Sequence, residues 1–233
     1  MFDELLTQLE HIPPKMLKKI LSGVVWEGTP DSGTMALTFD DGPDPEVTPP
    51  VLDALDAANA RGTFFMVGEK VAGHPDIARA VAERGHCIGS HSLTHRTLFL
   101  TGRKEVEREI DESLKIIGEI TGITPVLFRP PHGLFDLTCV SVVRERGLSM
   151  VLWSVLSGDY SDDPPDVLLD RIEPFVRAGS IVVFHDTAQG GNTVLPGLIA
   201  DMATIARTRD VGLDGVDRLS FSSDIELDND DGD

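Results

Sequence analysis

Two carboxylates stand side by side in TMALTFDDGPDP (34–45), where an apolar run ends in a turn. Successive side chains point to opposite faces of a strand, so Asp40 and Asp41 cannot share one task while strand geometry persists. Further on, HSLTH (91–95) sets two imidazoles four residues apart. If that segment turns helically, His91 and His95 lie about 5–6 Å apart on one face, near enough to reach a single metal ion. Asp41 can supply a third ligand and Asp40 a base, one carboxylate gripping the metal while the other handles protons. The plainer explanation of DDGPDP is turn chemistry, for which Asp, Gly and Pro are all suited. A turn, however, needs only one Asp.

Such groups must be brought together by the elements around them. From Thr34 onward short β-rich runs alternate with helical patterns. ALTF precedes a helix from Thr48 to Ala60, GTFFMVG a helix around 75–84, and HCIGS a long helix around 103–120. PVLFRP precedes a helix around 136–146, LSMVLWSV one around 165–178, and SIVVFHD a last one near 194–207. Strand–helix alternation predicts a parallel sheet. Asp40-Asp41, His91, Arg129, Asp159 and His185 all fall at or just beyond strand ends. In βα barrels that rim carries the reactive residues, because the loops there converge on one mouth.

The chain has 233 residues, enough for one large domain with a sizeable core. A formal net charge of -19 argues against nucleic acid and anionic membrane surfaces as partners. Cys87 and Cys139 have no CxxC spacing, so they read as two buried free thiols and give neither a disulfide framework nor a thiolate metal site. Residues 1–33 read as an appendage and lead-in, with an amphipathic helix over 1–21 interrupted at Pro13-Pro14. Residues 34–221 read as the main domain, and 222–233 as an acidic disordered tail. The first ten positions lack the apolar core of a secretory signal, and no apolar run approaches the ~18 residues of a membrane span. The expectation is a soluble, cytoplasmic chain.

Five segments in order, TFDDGP (38–43), HSLTH (91–95), RPPHG (129–133), SGDY (157–160) and VFHD (183–186), resemble the motifs of the polysaccharide deacetylases of carbohydrate esterase family 4. GHCIGSHSLTH (85–95) extends the likeness around the second motif, and the resemblance covers roughly residues 34–207. It implies an α/β fold, an irregular (β/α) barrel of 7–8 parallel strands in a single domain. It implies Asp40 as general base and Asp41, His91 and His95 as metal ligands. Arg129 would orient Asp40, His185 would be the general acid tuned by Asp159, and the backbone N–H of His132 would face the oxyanion. Two imidazoles and a carboxylate favour a borderline transition metal over Mg²⁺ or Ca²⁺. Zn²⁺ is the first choice, with Co²⁺ or Mn²⁺ as substitutes. The implied reaction is metal-dependent removal of N-acetyl groups from an amino sugar, oligosaccharide or polysaccharide, releasing acetate.

Departures from the family pattern fall around the substrate. His132 stands where Tyr is usual and Tyr160 where Trp is usual. Leu156 occupies a position often held by Asp, and Val183 one held by Leu, next to the expected acetyl methyl. His132, Tyr160 and Val183 are therefore the candidate substrate-binding residues. The same site could serve a small cyclic amide, imide or ureide. A metal-loaded carbohydrate-binding protein without turnover would be expected to lack the base or the acid, and both are present. Fe(II) oxygenases also use two His and a carboxylate, but Asp40 and the Asp159/His185 pair are superfluous to that chemistry. His11 and His74 read as surface residues, His86 as a structural histidine and Trp153 as core. Gly190-Gly191 lacks the neighbours of a phosphate loop.

Overall fold

The structure, a computed structural model, describes residues 23–161, 163–187 and 192–219. The expected helix over 1–21 and the acidic tail from residue 222 lie outside the described residues. Among the described residues nine strands form one sheet: β1 (Val24–Val25), β2 (Thr34–Asp40), β3 (Gly62–Met66), β4 (Cys87–Ser90), β5 (Leu127–Phe128), β6 (Ser149–Val151), β7 (Val155–Leu156), β8 (Ile181–His185) and β9 (Gly212–Asp214). The order is β1-β6-β5-β4-β3-β2-β8-β7, with β9 paired off this path to β2. Every pairing is parallel, as the alternation of strands and helices predicts. All strand ends therefore meet on one rim.

The expected strand over LSMVLWSV is two strands with a break at Leu152–Ser154. Leu152 N–H donates to Val25 O, and Ser154 N–H donates to Ile181 O. One continuous stretch thus starts against β1 and β5 and ends against β8, which brings the two ends of the sheet together as an irregular barrel. The strands read as nearly continuous apolar runs because both faces are covered. Met35, Leu37 and Phe39 join the core beneath the helices, whereas Ala36 packs with Val25, Phe65, Leu127, Val151 and Ile181 on the inner face.

The helices are α1 (Thr48–Ala58), α2 (Gly68–Gly73), α3 (Pro75–Glu83), α4 (Arg103–Thr121), α5 (Leu137–Glu145), α6 (Pro165–Ile172) and α7 (Leu195–Thr208). Helix α1 opens with Pro49 and Pro50, whose missing N–H groups cost nothing in a first turn, and ends at Asn59 in the left-handed region. On α4, Val106, Ile110, Ser113 and Ile117 form the buried stripe, and Gly122 caps it at φ 74°. Two helices differ from expectation. The helix expected over 165–178 ends at Ile172, and Pro174 falls in a separate 3-10 turn over Glu173–Phe175. Helix α2 has too few residues to show a period. It is tied down instead by Gly68 N–H to Ser92 O and Glu69 N–H to Leu93 O. Cys139 is buried as expected, while Cys87 is only partly so. Among the described residues no helix is long and apolar enough to cross a membrane.

Phe39 is fully buried between Phe64 and Phe184, with ring centroids 4.9 and 5.8 Å away. Phe39→Ala is expected to lower the unfolding free energy by about 3–5 kcal/mol, read from the midpoint of urea unfolding. A loss under about 1 kcal/mol would contradict this packing.

Candidate active site

Asp40 ends β2 on the inner face and is 3% exposed. Arg129 Nη1 donates to its Oδ1 at 2.6 Å. The guanidinium, wholly buried, also donates from Nη1 to Thr38 Oγ1 at 2.8 Å, from Nε to Val151 O at 3.1 Å and from Nη2 to Leu152 O at 2.8 Å. Its remaining face lies over the Phe65 ring, 4.1 Å from the centroid. Burial pulls its pKa below the ordinary arginine value, against the opposing charge and hydrogen bond of Asp40. The result is an ion pair that orients one carboxylate and leaves Arg129 no other conformation.

Asp41, one residue on, leaves strand geometry at φ 74°. Its Oδ1 lies 3.4 Å from His91 Nε2 and 2.9 Å from His95 Nε2. The three ligand atoms of Asp41, His91 and His95 fall within 4.8 Å of one another. Burial pushes the Asp41 carboxyl up, but the two imidazoles beside it outweigh this and hold the group well below the usual carboxylate range. His91 Nδ1 sits 2.8 Å from Arg129 O. A carbonyl can only accept, so Nδ1 is the donor in that bond and Nε2 is the nitrogen that faces Asp41. Asp41 Oδ1 is buried without a hydrogen bond in good geometry. An orphaned carboxylate oxygen facing two imidazole nitrogens is the donor set of a divalent transition-metal ion, and these residues fit one.

The two histidines meet, but not through helical spacing. HSLTH is a bend in which Ser92 (φ 68°) and His95 (φ 61°) both take left-handed backbone, and the rings end 5.0 Å apart. Glu109 holds this bend from α4, although it is fully buried. Leu93 N–H, Thr94 N–H and Thr94 Oγ1–H donate to its carboxylate at 3.1, 2.9 and 2.9 Å. Reading the motifs alone misses Glu109. The available signal is a glutamate lying on the apolar stripe of α4, between Val106 and Ser113.

His185 ends β8 directly across from Asp40 in the β2–β8 register. Its Nδ1 is 2.8 Å from Asp159 Oδ1, and its backbone N–H donates to Asp159 Oδ2 at 2.7 Å. Ser157 Oγ donates to Asp159 Oδ1 at 2.9 Å, which fixes the carboxylate in turn. Burial draws the His185 pKa down. The bond and charge of Asp159, then the charges of Asp40 and Asp41, prevail and raise it to about 9. At neutral pH the ring is an imidazolium.

The three residues expected to meet substrate have different environments. Tyr160 is exposed and stands edge-on to His185, with centroids 5.8 Å apart. His132, at φ 59°, stands edge-on to His95 at 4.7 Å, and burial with the nearby His95 and His91 pushes its pKa down. Val183 is buried on β8, two residues before His185 and opposite Leu156. His86 is structural: its Nδ1 accepts from Gly62 N–H at 3.2 Å, and burial pushes its pKa to about 4. Trp153 packs on the core, with its ring against Gly133.

Residues 27–151 match the polysaccharide deacetylase family. A peptidoglycan-N-acetylglucosamine deacetylase from Bacillus cereus is 32% identical over 165 residues, 71% of this chain and 60% of that relative's length. A chitooligosaccharide deacetylase from Sinorhizobium fredii is 36% identical over 162 residues, 67% of this chain and 75% of its own. The crystal structure of a peptidoglycan N-acetylglucosamine deacetylase superposes with a TM-score of 0.80 at 27% identity, covering 92% of this chain and 100% of the other. By family match, relatives and fold together, the chain belongs to the polysaccharide deacetylases of carbohydrate esterase family 4.

Proposed function

We propose that this protein hydrolyses the N-acetyl group of an amino-sugar residue in an oligosaccharide or polysaccharide, releasing acetate and a free amine. One observation carries the reading. A carboxylate locked by Arg129 and an imidazolium locked by Asp159 stand on adjacent strands, in register, beside the Asp41/His91/His95 cluster. The relatives' names, deacetylases of peptidoglycan and of chitooligosaccharides, support the substrate class.

The cation that Asp41, His91 and His95 would hold, Zn²⁺ by preference with Co²⁺ or Mn²⁺ as substitutes, supplies Lewis acidity toward the acetamide carbonyl and the water that attacks it. Asp40 accepts the proton of that water as its oxygen adds to the carbonyl carbon, and Arg129 keeps the receiving carboxylate aimed. The backbone N–H of His132 is the proposed donor to the oxyanion. Protonated His185 then gives its proton to the amide nitrogen, the C–N bond breaks, and acetate and amine separate. Asp159 keeps His185 charged until that moment. Tyr160, the His132 ring and Val183 are proposed to border the sugar and the acetyl methyl.

Enzyme supplied with Zn²⁺, Co²⁺ or Mn²⁺ is expected to release acetate from N-acetylated chito-oligosaccharides, and chelation to stop it. Acetate no higher than the blank with every metal would remove the hydrolase reading. Asp40→Asn is expected to cut turnover by about 10²–10⁴-fold with bound metal retained, while His91→Ala loses metal. A general acid works only when protonated, so kcat/KM should fall as pH rises through about 9. Asp159→Asn removes the charge that raises His185, so this alkaline limb should move to lower pH. An unmoved limb would separate Asp159 from the acid.

A further inference from the structure

We propose that Asp186, which has none of the catalytic and ligand roles assigned above, is the positioning residue for Asp41, bracing the turn that aims this carboxylate at the metal. The proposal rests on the metal-site reading. Asp186 follows His185 at the end of β8, where its backbone N–H donates to Asp40 O at 3.0 Å and extends the β2–β8 ladder by one rung. Its side chain then reaches past Asp41, and Oδ1 accepts from Gly42 N–H at 3.1 Å. One residue thus grips the backbone on both sides of Asp41. Between the two grips Asp41 holds φ 74°, a conformation that non-glycine residues keep only when their surroundings impose it.

The brace is itself anchored. Thr48 Oγ1, buried in the first turn of α1, donates to Asp186 Oδ2 at 2.7 Å and accepts from Asp44 N–H at 2.8 Å. Asp44 Oδ1 accepts in turn from Glu46 and Val47 N–H at 2.9 and 3.2 Å. The DDGPDP turn is therefore tied to β8 and to α1 through one carboxylate that is 1% exposed. Gly42 is required by this arrangement, because a Cβ there would sit 2.2 Å from Asp186 Oδ2. Burial, then the charges of Asp41 and Asp40, disfavour a negative Asp186, and Thr48 and Lys70 oppose them.

The test compares wild type, Asp186→Ala, Asp186→Asn and Thr48→Val with Co²⁺ as probe. Affinity is read by calorimetry, ligand geometry by the d–d absorption bands, apo stability by thermal unfolding, and activity by kcat and KM on an N-acetylated chito-oligosaccharide. Groups that orient metal ligands typically contribute about 10–100-fold in affinity. Asp186→Ala is expected to weaken Co²⁺ by at least about 10-fold and shift its bands, with the loss falling on kcat more than KM. Asp186→Asn keeps the acceptor for Gly42 N–H and should restore most of that affinity. Thr48→Val should fall between, and it decides the question if Asp186→Ala does not fold. Wild-type affinity and bands in Asp186→Ala, or in Thr48→Val should that variant be the one that decides, would overturn the positioning role alone. Absence of Co²⁺ uptake by wild type would overturn the metal-site reading and this proposal with it.

Discussion

The Arg129–Asp40 pair is the interaction on which the rest of the site depends. Arg129 is the largest of the fully buried side chains, and it is a cation. Removing such a charge from water costs several kcal/mol unless its partners are near ideal. Here each nitrogen has an acceptor: Asp40, Thr38 and two carbonyls where β6 ends and the break before β7 begins. Those carbonyls belong to Val151 and Leu152, in the stretch that draws the two ends of the sheet together. The strand break that closes the barrel therefore also satisfies the arginine, and the arginine orients the carboxylate. Its own backbone O accepts the hydrogen bond of His91 Nδ1–H, so one residue orients both Asp40 and His91.

Around this centre the backbone is held in conformations that side-chain-bearing residues seldom adopt. Asp41, Ser92, His95 and His132 all have positive φ, and all lie at the mouth. Strain of this kind persists only where neighbours impose it. The HSLTH bend is imposed by Glu109 and by the first turn of α2, and the DDGP turn by the backbone and carboxylate of Asp186. Both side-chain braces are buried carboxyl groups whose oxygens accept from backbone N–H groups. The loops that carry Asp41, His91 and His95 are thus tied into the packed interior.

Asp40 and His185 differ because their partners differ. Asp40 meets a guanidinium, which aims its carboxylate. His185 meets a carboxylate with two more nearby, which favours its protonated form and lifts it to about 9. A single register position of β2 and β8 thus carries a carboxylate held by a guanidinium and an imidazole held by a carboxylate.

From residue order alone came the strand–helix alternation, the parallel sheet and the gathering of Asp40, Asp41, His91, Arg129, Asp159 and His185 at strand ends. Those are legible because strand and helix periods and turn residues are local properties of the chain. Other features depend on partners far away in sequence. The two-residue strand β1 and the break between β6 and β7 exist only through their neighbours, and α2 is secured by the loop after β4. The same holds for the His91–His95 approach, which spacing suggested through a helical turn and the fold achieves through a left-handed bend held by Glu109. Glu109 and Asp186 look like ordinary acids in the sequence; tertiary structure makes them braces, because only there do the N–H groups of distant turns point at their oxygens.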